Sequence, residues 1–167
     1  GSYGRLEDLG TMVRGLQVPM VVIDHHPDMQ ISADLAVVDT GACATCEILF
    51  SVLSQIDPEN LRDRVIATCI YCGMMTDTGA FAYNSNRPEI FLATAMLMSA
   101  GIDKDKIYRS VYYNYSEQRL RLMGYILNRK MQYFPELHTA IFTLDVNEMK
   151  EYNFVRGDAE GIVNLPL

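Results

Sequence analysis

Two short segments of this chain hold residues able to do chemistry together. Asp24-His25-His26 closes the apolar run Pro19 to Ile23. Neutral imidazole is a good ligand for Mn²⁺, Zn²⁺ or Fe²⁺, and an adjacent carboxylate can accept the other ring N–H and fix the tautomer. The chain has 3 histidines, so two side by side at one strand end are a notable concentration. The plainer reading is a polar strand cap with solvated imidazoles. In the second segment, Gly73 to Phe81, a buried helix runs into the turn Thr76-Asp77-Thr78-Gly79. Asp77 there is a hard oxygen donor between small residues that let a ligand approach. Its plainer reading is an ordinary Asp-Thr-Gly turn.

Both segments need elements that deliver them to one place. An apolar run ending in ionisable residues is how a buried parallel strand presents side chains at the C-terminal edge of a sheet, and Leu35 to Asp39 repeats the pattern of Pro19 to His26. Helical stretches are expected between and after these strands. Apolar spacing predicts helices over Ala44 to Gln55 and Leu61 to Met75. A third opens at Asn86-Arg87-Pro88, with proline in its first turn, and ends at Ala100-Gly101. Asp103 to Tyr113 and Ser116 to Lys130 read as two more, the latter as a connector. His138 to Asp145 alternates like a strand, and Val146 to Asn153 suits a short helix. The resulting class is α/β with a mainly parallel sheet flanked by helices, in which ligands gather at the strands' C-terminal ends.

Composition narrows the function. A net charge of −7 argues against a broad basic surface that would hold long nucleic acid by neutralising phosphates, and no long duplex is expected as a partner. A small anion remains compatible, since bound cations can invert the local field. No apolar run approaches the ~18 residues that cross a membrane, and the expected location is cytoplasmic. Cys43-x-x-Cys46 and Cys69-x-x-Cys72 raise a zinc site, but each pair falls in an apolar helical pattern, where free cysteine serves as a small core residue. His138 and the 10 methionines are read as structural. Arg119, Arg121 and Arg129 are read as a solvated helix face, with a substrate cleft as the alternative.

The run Val21 to Pro27, followed by Gly73 to Phe81, resembles the third and fourth motifs of the DHH phosphoesterases, most of all their oligoribonuclease and 3'-phosphoadenosine-5'-phosphate phosphatase branch. Ala100-Gly101-Ile102-Asp103 and Leu120 to Gly124 extend the resemblance along the chain. It implies a DHH domain over residues 1–115, a linker helix over 116–131 and the beginning of a smaller α/β substrate-binding domain over 132–167. By the same resemblance His25 and Asp77 are metal ligands, His26 contacts phosphate or a metal-bound water, and Asp24 orients a histidine. The implied cofactor is a pair of divalent cations, usually Mn²⁺, with Mg²⁺ or another divalent ion as alternatives. The implied substrates are short RNA, dinucleotides or 3'-phosphoadenosine-5'-phosphate. Arg156 and Asn164 are candidate substrate contacts, and a homodimer is the oligomeric form held open.

The departures from the family pattern set further expectations. Its first two motifs, a His followed by Asp-x-Asp and another Asp, have no match before Asp24, where Glu7 and Asp8 fit neither spacing. Asp103-Lys104-Asp105 has the right form but stands at a helix start, where N-capping explains it. The family's Gly-Gly-His segment is absent, although Gly157 to Asn164 resembles the approach to that domain. Gly1-Ser2 reads as a tag scar. The chain is therefore expected to be part of a longer enzyme and to hold about half of a two-metal site. The competing readings are a RecJ-type single-strand exonuclease or a pyrophosphatase of the same superfamily, and a non-catalytic binding module on the same fold.

Overall fold

The β-branched run Val21-Val22-Ile23 favours an extended strand, and the computed structural model, which describes residues 2–6, 8–28 and 30–166 and all but the side chain of Arg5 among them, places one there. Glu7 lies outside the described residues. Strand β1 (Val21–Asp24) pairs in parallel with β2 (Leu35–Val38), with Val21 opposite Leu35 and Asp24 opposite Val38. Helix α1 (Asp8–Arg14) precedes them. Tyr3, Leu6, Val13, Met20 and Ile31 line an apolar cavity of roughly 350 Å³ against β1. The expected helix between the two strands is not there: among the described residues, 25–34 form no regular element. Pro27 denies that stretch an N–H for a helix interior.

Helices then follow close to their expected places: α2 (Thr45–Ile56), α3 (Arg64–Asp77), α4 (Pro88–Ser99) and α5 (Lys104–Tyr112). Asp63 caps α3 by accepting from the N–H groups of Val65 at 2.8 Å and Ile66 at 3.0 Å. Leu61 precedes this cap in a separate 3-10 turn, Pro58–Arg62, so the helix expected from Leu61 starts later. Asp103 caps the start of α5, accepting from Lys106 N–H at 2.9 Å. The core of this part gathers Ala67, Ile70, Met74 and Met75 of α3 with Ile90, Ala93 and Leu97 of α4 and Ile48 of α2.

The chain divides into two compact units, residues 1–111 and 112–167. In the second, α6 (Glu117–Tyr125) is capped by Ser116, whose hydroxyl accepts from Arg119 N–H at 3.1 Å. It continues into a π-helical turn, Ile126–Lys130. Strands β3 (Met131–Phe134) and β4 (Thr139–Phe142) form an antiparallel hairpin, and α7 (Val146–Glu151) follows. β3 was not expected from the sequence. His138 is not in the strand it was expected to open, because its left-handed backbone, at φ 46°, belongs to the turn before β4. Leu122, Ile126 and Ile162 are this unit's buried core, with Tyr125 and Tyr152 stacked beside them.

Glu148 ties the second unit together. Its carboxylate accepts from the Tyr125 hydroxyl, from Lys130 Nζ at 2.7 Å and from Asp145 N–H at 2.9 Å. The Lys130 and Tyr125 hydrogen bonds hold Glu148 down at about 2, against an ordinary value of 4.5. A depressed folded pKa contributes stability that is complete above the ordinary value and lost as pH falls towards the folded one. Stability of the second unit should therefore decline between pH 4.5 and about 2, and Glu148→Gln should flatten that slope in acid titrations followed by tyrosine fluorescence. An unchanged slope would refute the network.

Helix α2 packs tightly on α3 where Cys46 meets Gly73: a methyl group at Gly73 would collide with Cys46 Sγ. Overpacking of this kind typically costs about 1–3 kcal/mol. Gly73→Ala should lower the urea midpoint accordingly, and the paired change Cys46→Ala with Gly73→Ala should recover most of the loss.

Candidate functional site

The carbonyl end of β1 carries Asp24, His25 and His26, and the Asp39 N–H donates to the Asp24 carbonyl at 3.2 Å, joining the two strand ends. Asp24 is buried, and its Oδ1 accepts from the backbone N–H of His25 at 2.8 Å and of His26 at 3.2 Å. The same oxygen lies 2.7 Å from His26 Nδ1. Burial alone would raise the Asp24 pKa, but hydrogen bonds to the carboxylate, those from His26 among them, outweigh it and hold the group below the usual carboxylate range. Asp24 is thus an ionised holder. It fixes the His26 ring through Nδ1 and leaves Nε2 on the far side. The two imidazoles stack with centroids 4.2 Å apart.

His25 is held from the other side. Its Nδ1 lies 3.0 Å from the Thr45 hydroxyl in the first turn of α2, and its Nε2 lies 3.4 Å from Asp77 Oδ2 in the last turn of α3. The structure therefore brings His25 and Asp77 together, although they are far apart in the sequence. Sequence reading missed Thr45. As a hydroxyl at a helix start it looks like a routine cap, and only the fold turns it towards the imidazole.

The turn after Asp77 is built with unusual backbone. Gly79, Ala80 and Phe81 all have positive φ, at 57°, 61° and 64°. Non-glycine residues there cost of order 1–3 kcal/mol each and persist only when their surroundings over-determine them. Those surroundings are visible. Thr78 is fully buried, donates to Met74 O at 2.7 Å and accepts from Phe81 N–H at 2.9 Å. Ala80 N–H reaches Met75 O at 2.8 Å, and the Phe81 ring sits between Tyr71 and Phe91. Gly79 has a further reason to be glycine: a Cβ there would stand 2.9 Å from the Tyr83 ring.

Two donor groupings could hold a cation. Asp24, His25 and His26 each offer one ligand atom within 4.8 Å of the others. The Asp24 oxygen facing His26 already takes three hydrogen bonds, so this trio reads as a positioning cluster. His25 with Asp77 fits a cation better. Two donors bound at right angles, each about 2.1 Å from one ion, lie about 3 Å apart, close to the 3.4 Å found here. With the 45% exposure of the Asp77 side chain, the pair is also reachable from solvent.

The cysteines form no comparable group. All four are free, and among the described residues no cluster of three or more His, Cys, Asp or Glu that could hold a metal includes any of them. Cys43 lies before α2, not within it, and is buried. Burial, reinforced by the neighbouring Glu47 carboxylate, pushes its thiol up to about 12, and burial raises Cys46 likewise. Cys43 and Cys46 are thus protonated packing residues, not reactive thiolates, whereas Cys69, expected in the core, is exposed. Arg156 and Asn164 lie in the second unit, Arg156 in a turn and Asn164 ending a 3-10 turn, Ile162–Asn164. Arg119, one of the three connector arginines, lies over the Tyr115 ring and donates to Glu160 O at 2.9 Å. No helix among the described residues is long and apolar enough to cross a membrane.

An α/β scaffold that sets Asp24, His25 and His26 at the carbonyl end of a parallel strand and brings Asp77 to them from the end of α3 defines a chain built for polar chemistry at a sheet edge. Comparison with known proteins narrows this. No family model matches the chain. An uncharacterized protein of Mycoplasma pneumoniae is 31% identical over 109 residues, 65% of this chain and 33% of the relative. A probable bifunctional oligoribonuclease and PAP phosphatase, NrnA, of Streptococcus mutans is 26% identical over 88% of this chain and 46% of the relative. Among solved structures, an exopolyphosphatase-related protein from Bacteroides fragilis superposes with a TM-score of 0.90 at 37% identity, covering 99% of this chain and 48% of that one. The resemblance to the DHH phosphoesterases is borne out: the chain is a homologue of proteins named bifunctional oligoribonuclease and PAP phosphatase, and it shares the α/β fold of the solved relative. It spans a third to a half of the length of these relatives.

Thr45→Val should free the His25 ring while leaving the fold intact, and Thr45→Ser should behave as wild type. Loss of a hydrogen bond that orients a metal ligand typically costs 10–100-fold in metal affinity. Mn²⁺ titrations followed by line broadening of the His25 ring signals should show that loss for valine alone. Equal affinities for the two variants would remove Thr45 from the site.

Proposed function

We propose that this chain carries the His/Asp part of a divalent-cation-dependent phosphoesterase centre that hydrolyses short oligoribonucleotides, dinucleotides or 3'-phosphoadenosine-5'-phosphate. The observation that carries the reading is His25, anchored through Nδ1 by Thr45 and facing Asp77 through Nε2 at a strand's carbonyl end. Support for the substrate class comes from the name of the Streptococcus mutans relative. The net charge of −7 weighs against a long-strand exonuclease.

The residues have separable tasks in this reading. His25 and Asp77 would hold a cation, Mn²⁺ by the family resemblance and Mg²⁺ as the alternative, with further ligands from outside this pair. Such a cation supplies Lewis-acid polarisation of a phosphoryl oxygen and lowers the pKa of a bound water. Asp24 keeps its charge and locks the His26 ring, so that Nε2 is presented to a phosphoryl oxygen or a water. His26, with 40% of its side chain exposed, can reach a substrate. Thr45 keeps the His25 ring from turning.

The test uses the chain with Mn²⁺ and measures ion binding by the paramagnetic broadening of histidine ring signals. Product release is followed from a linear dinucleotide, 3'-phosphoadenosine-5'-phosphate, pyrophosphate and long single-stranded DNA. Broadening centred on His25 and release of nucleoside monophosphate or phosphate from the first two substrates are expected. His25→Ala and Asp77→Asn should abolish the broadening and lower turnover at least about a hundredfold. Turnover of long DNA alone, or Mn²⁺ binding that survives both substitutions, would defeat the reading.

A further inference from the structure

The cation reading leaves unused the ion pair between Glu47 and Arg87. Glu47 has 8% of its surface exposed in the first turn of α2. Its Oε2 accepts from Cys43 N–H at 2.7 Å, and its Oε1 pairs with Nη2 of Arg87, the residue just before α4. A buried carboxylate needs such partners, yet a buried ion pair is by itself a weak source of stability. The arrangement makes better sense as a brace that holds a guanidinium in one place.

That place is the sheet end already described. A Cβ built on Gly41 would stand 3.2 Å from Asp39 Oδ1 and 3.9 Å from Arg87 Nη1, so the guanidinium lies over the chain as it leaves β2. His25 is where the chain leaves β1, and the two strand ends are joined by the Asp39 N–H to Asp24 carbonyl bond of 3.2 Å. One amino group of Arg87 engages Glu47, while 44% of the side chain remains exposed. The surrounding edge carries Asp24, Asp39 and Asp77, against which an anionic substrate needs a fixed cation. A planar guanidinium with several donors, already oriented, is the group suited to phosphoryl oxygens.

We infer that Arg87 is a substrate-binding residue whose guanidinium, braced by Glu47, takes a phosphoryl oxygen of the nucleotide. The inference rests on the proposed function and deepens it by naming the contact that holds the anion beside the His25/Asp77 pair.

The experiment measures binding of adenosine monophosphate to the chain by calorimetry in the presence of Mn²⁺, alongside Mn²⁺ broadening at His25 and thermal melting. Arg87→Ala should weaken nucleotide binding about 10–100-fold, the scale of a hydrogen bond to a charged group, and leave the broadening unchanged. Arg87→Lys, which keeps charge without the fork, should recover part of the loss. Because Arg87→Ala strands a buried carboxylate, Glu47→Gln combined with Arg87→Met is measured too, and it should melt near wild type with the same loss of nucleotide. Binding within twofold of wild type in both Arg87→Ala and the paired variant would make Arg87 a structural brace and overturn the inference. A wild-type chain that takes neither Mn²⁺ nor nucleotide would remove the proposed function and this assignment together, whereas a wild type that takes both, with unaffected variants, removes this assignment alone.

Discussion

The close approach of Cys46 to Gly73 sets the geometry of everything at the strand end. Cys46 adjoins Thr45, and Gly73 stands one helical turn before Asp77. The spacing between α2 and α3 at this contact therefore fixes the span between the Thr45 hydroxyl and the Asp77 carboxylate, the two groups on either side of the His25 ring at 3.0 Å and 3.4 Å. A larger residue at Gly73 would widen that span. Small displacements matter here, because a ligand constellation works only within about 0.5 Å of its productive geometry.

The strained turn after Asp77 serves the same end from the other direction. A helix C-terminus ordinarily frays. Here Thr78 is buried and bonded both back into α3 and forward to Phe81, while Phe81 is wedged between Tyr71 of α3 and Phe91 of α4. The aromatic packing pins the left-handed backbone, and the backbone pins the last turn of α3. The segment leads directly to the loop that carries Arg87, so one core, that of α3 and α4, positions both Asp77 and the guanidinium.

Much of this was legible in the sequence because it was written locally. Apolar runs that stop at ionisable residues marked β1 and β2, periodicity and the first-turn proline Pro88 marked the helices, and Asp24-His25-His26 stood out by composition. What escaped was either short or non-local. Helix α1 has seven residues interrupted by Gly10, too few for a periodic signal. Strand β3 was hidden because the preceding helix runs on through a π turn directly into Met131. Thr45 meets His25 across 20 residues and Arg87 meets Glu47 across 40, and no spacing rule connects such pairs. The paired cysteines mislead in the opposite sense: their spacing imitates a metal site, while the fold uses Cys46 as packing against a glycine.

The carboxylates at this sheet end are not equivalent, and the differences say where charge is left over. Asp24 is matched by two backbone N–H groups and an imidazole at 2.7–3.2 Å. Asp39 accepts from Gly41 N–H at 2.9 Å, and Glu47 is matched by Arg87 and Cys43 N–H. Asp77 faces an imidazole nitrogen at 3.4 Å, beyond the usual range of a strong charge-assisted bond, with 45% of its side chain open to water. If Thr45 accepts the Nδ1 proton, His25 turns a bare nitrogen towards that carboxylate, and two acceptors then confront each other. Such a confrontation is relieved by a proton or by a metal ion. The solvent-open position, the rigid supports on both sides and the anchored ring all favour the ion, which is the physical basis for proposing the cation at this pair and not at the better-satisfied Asp24.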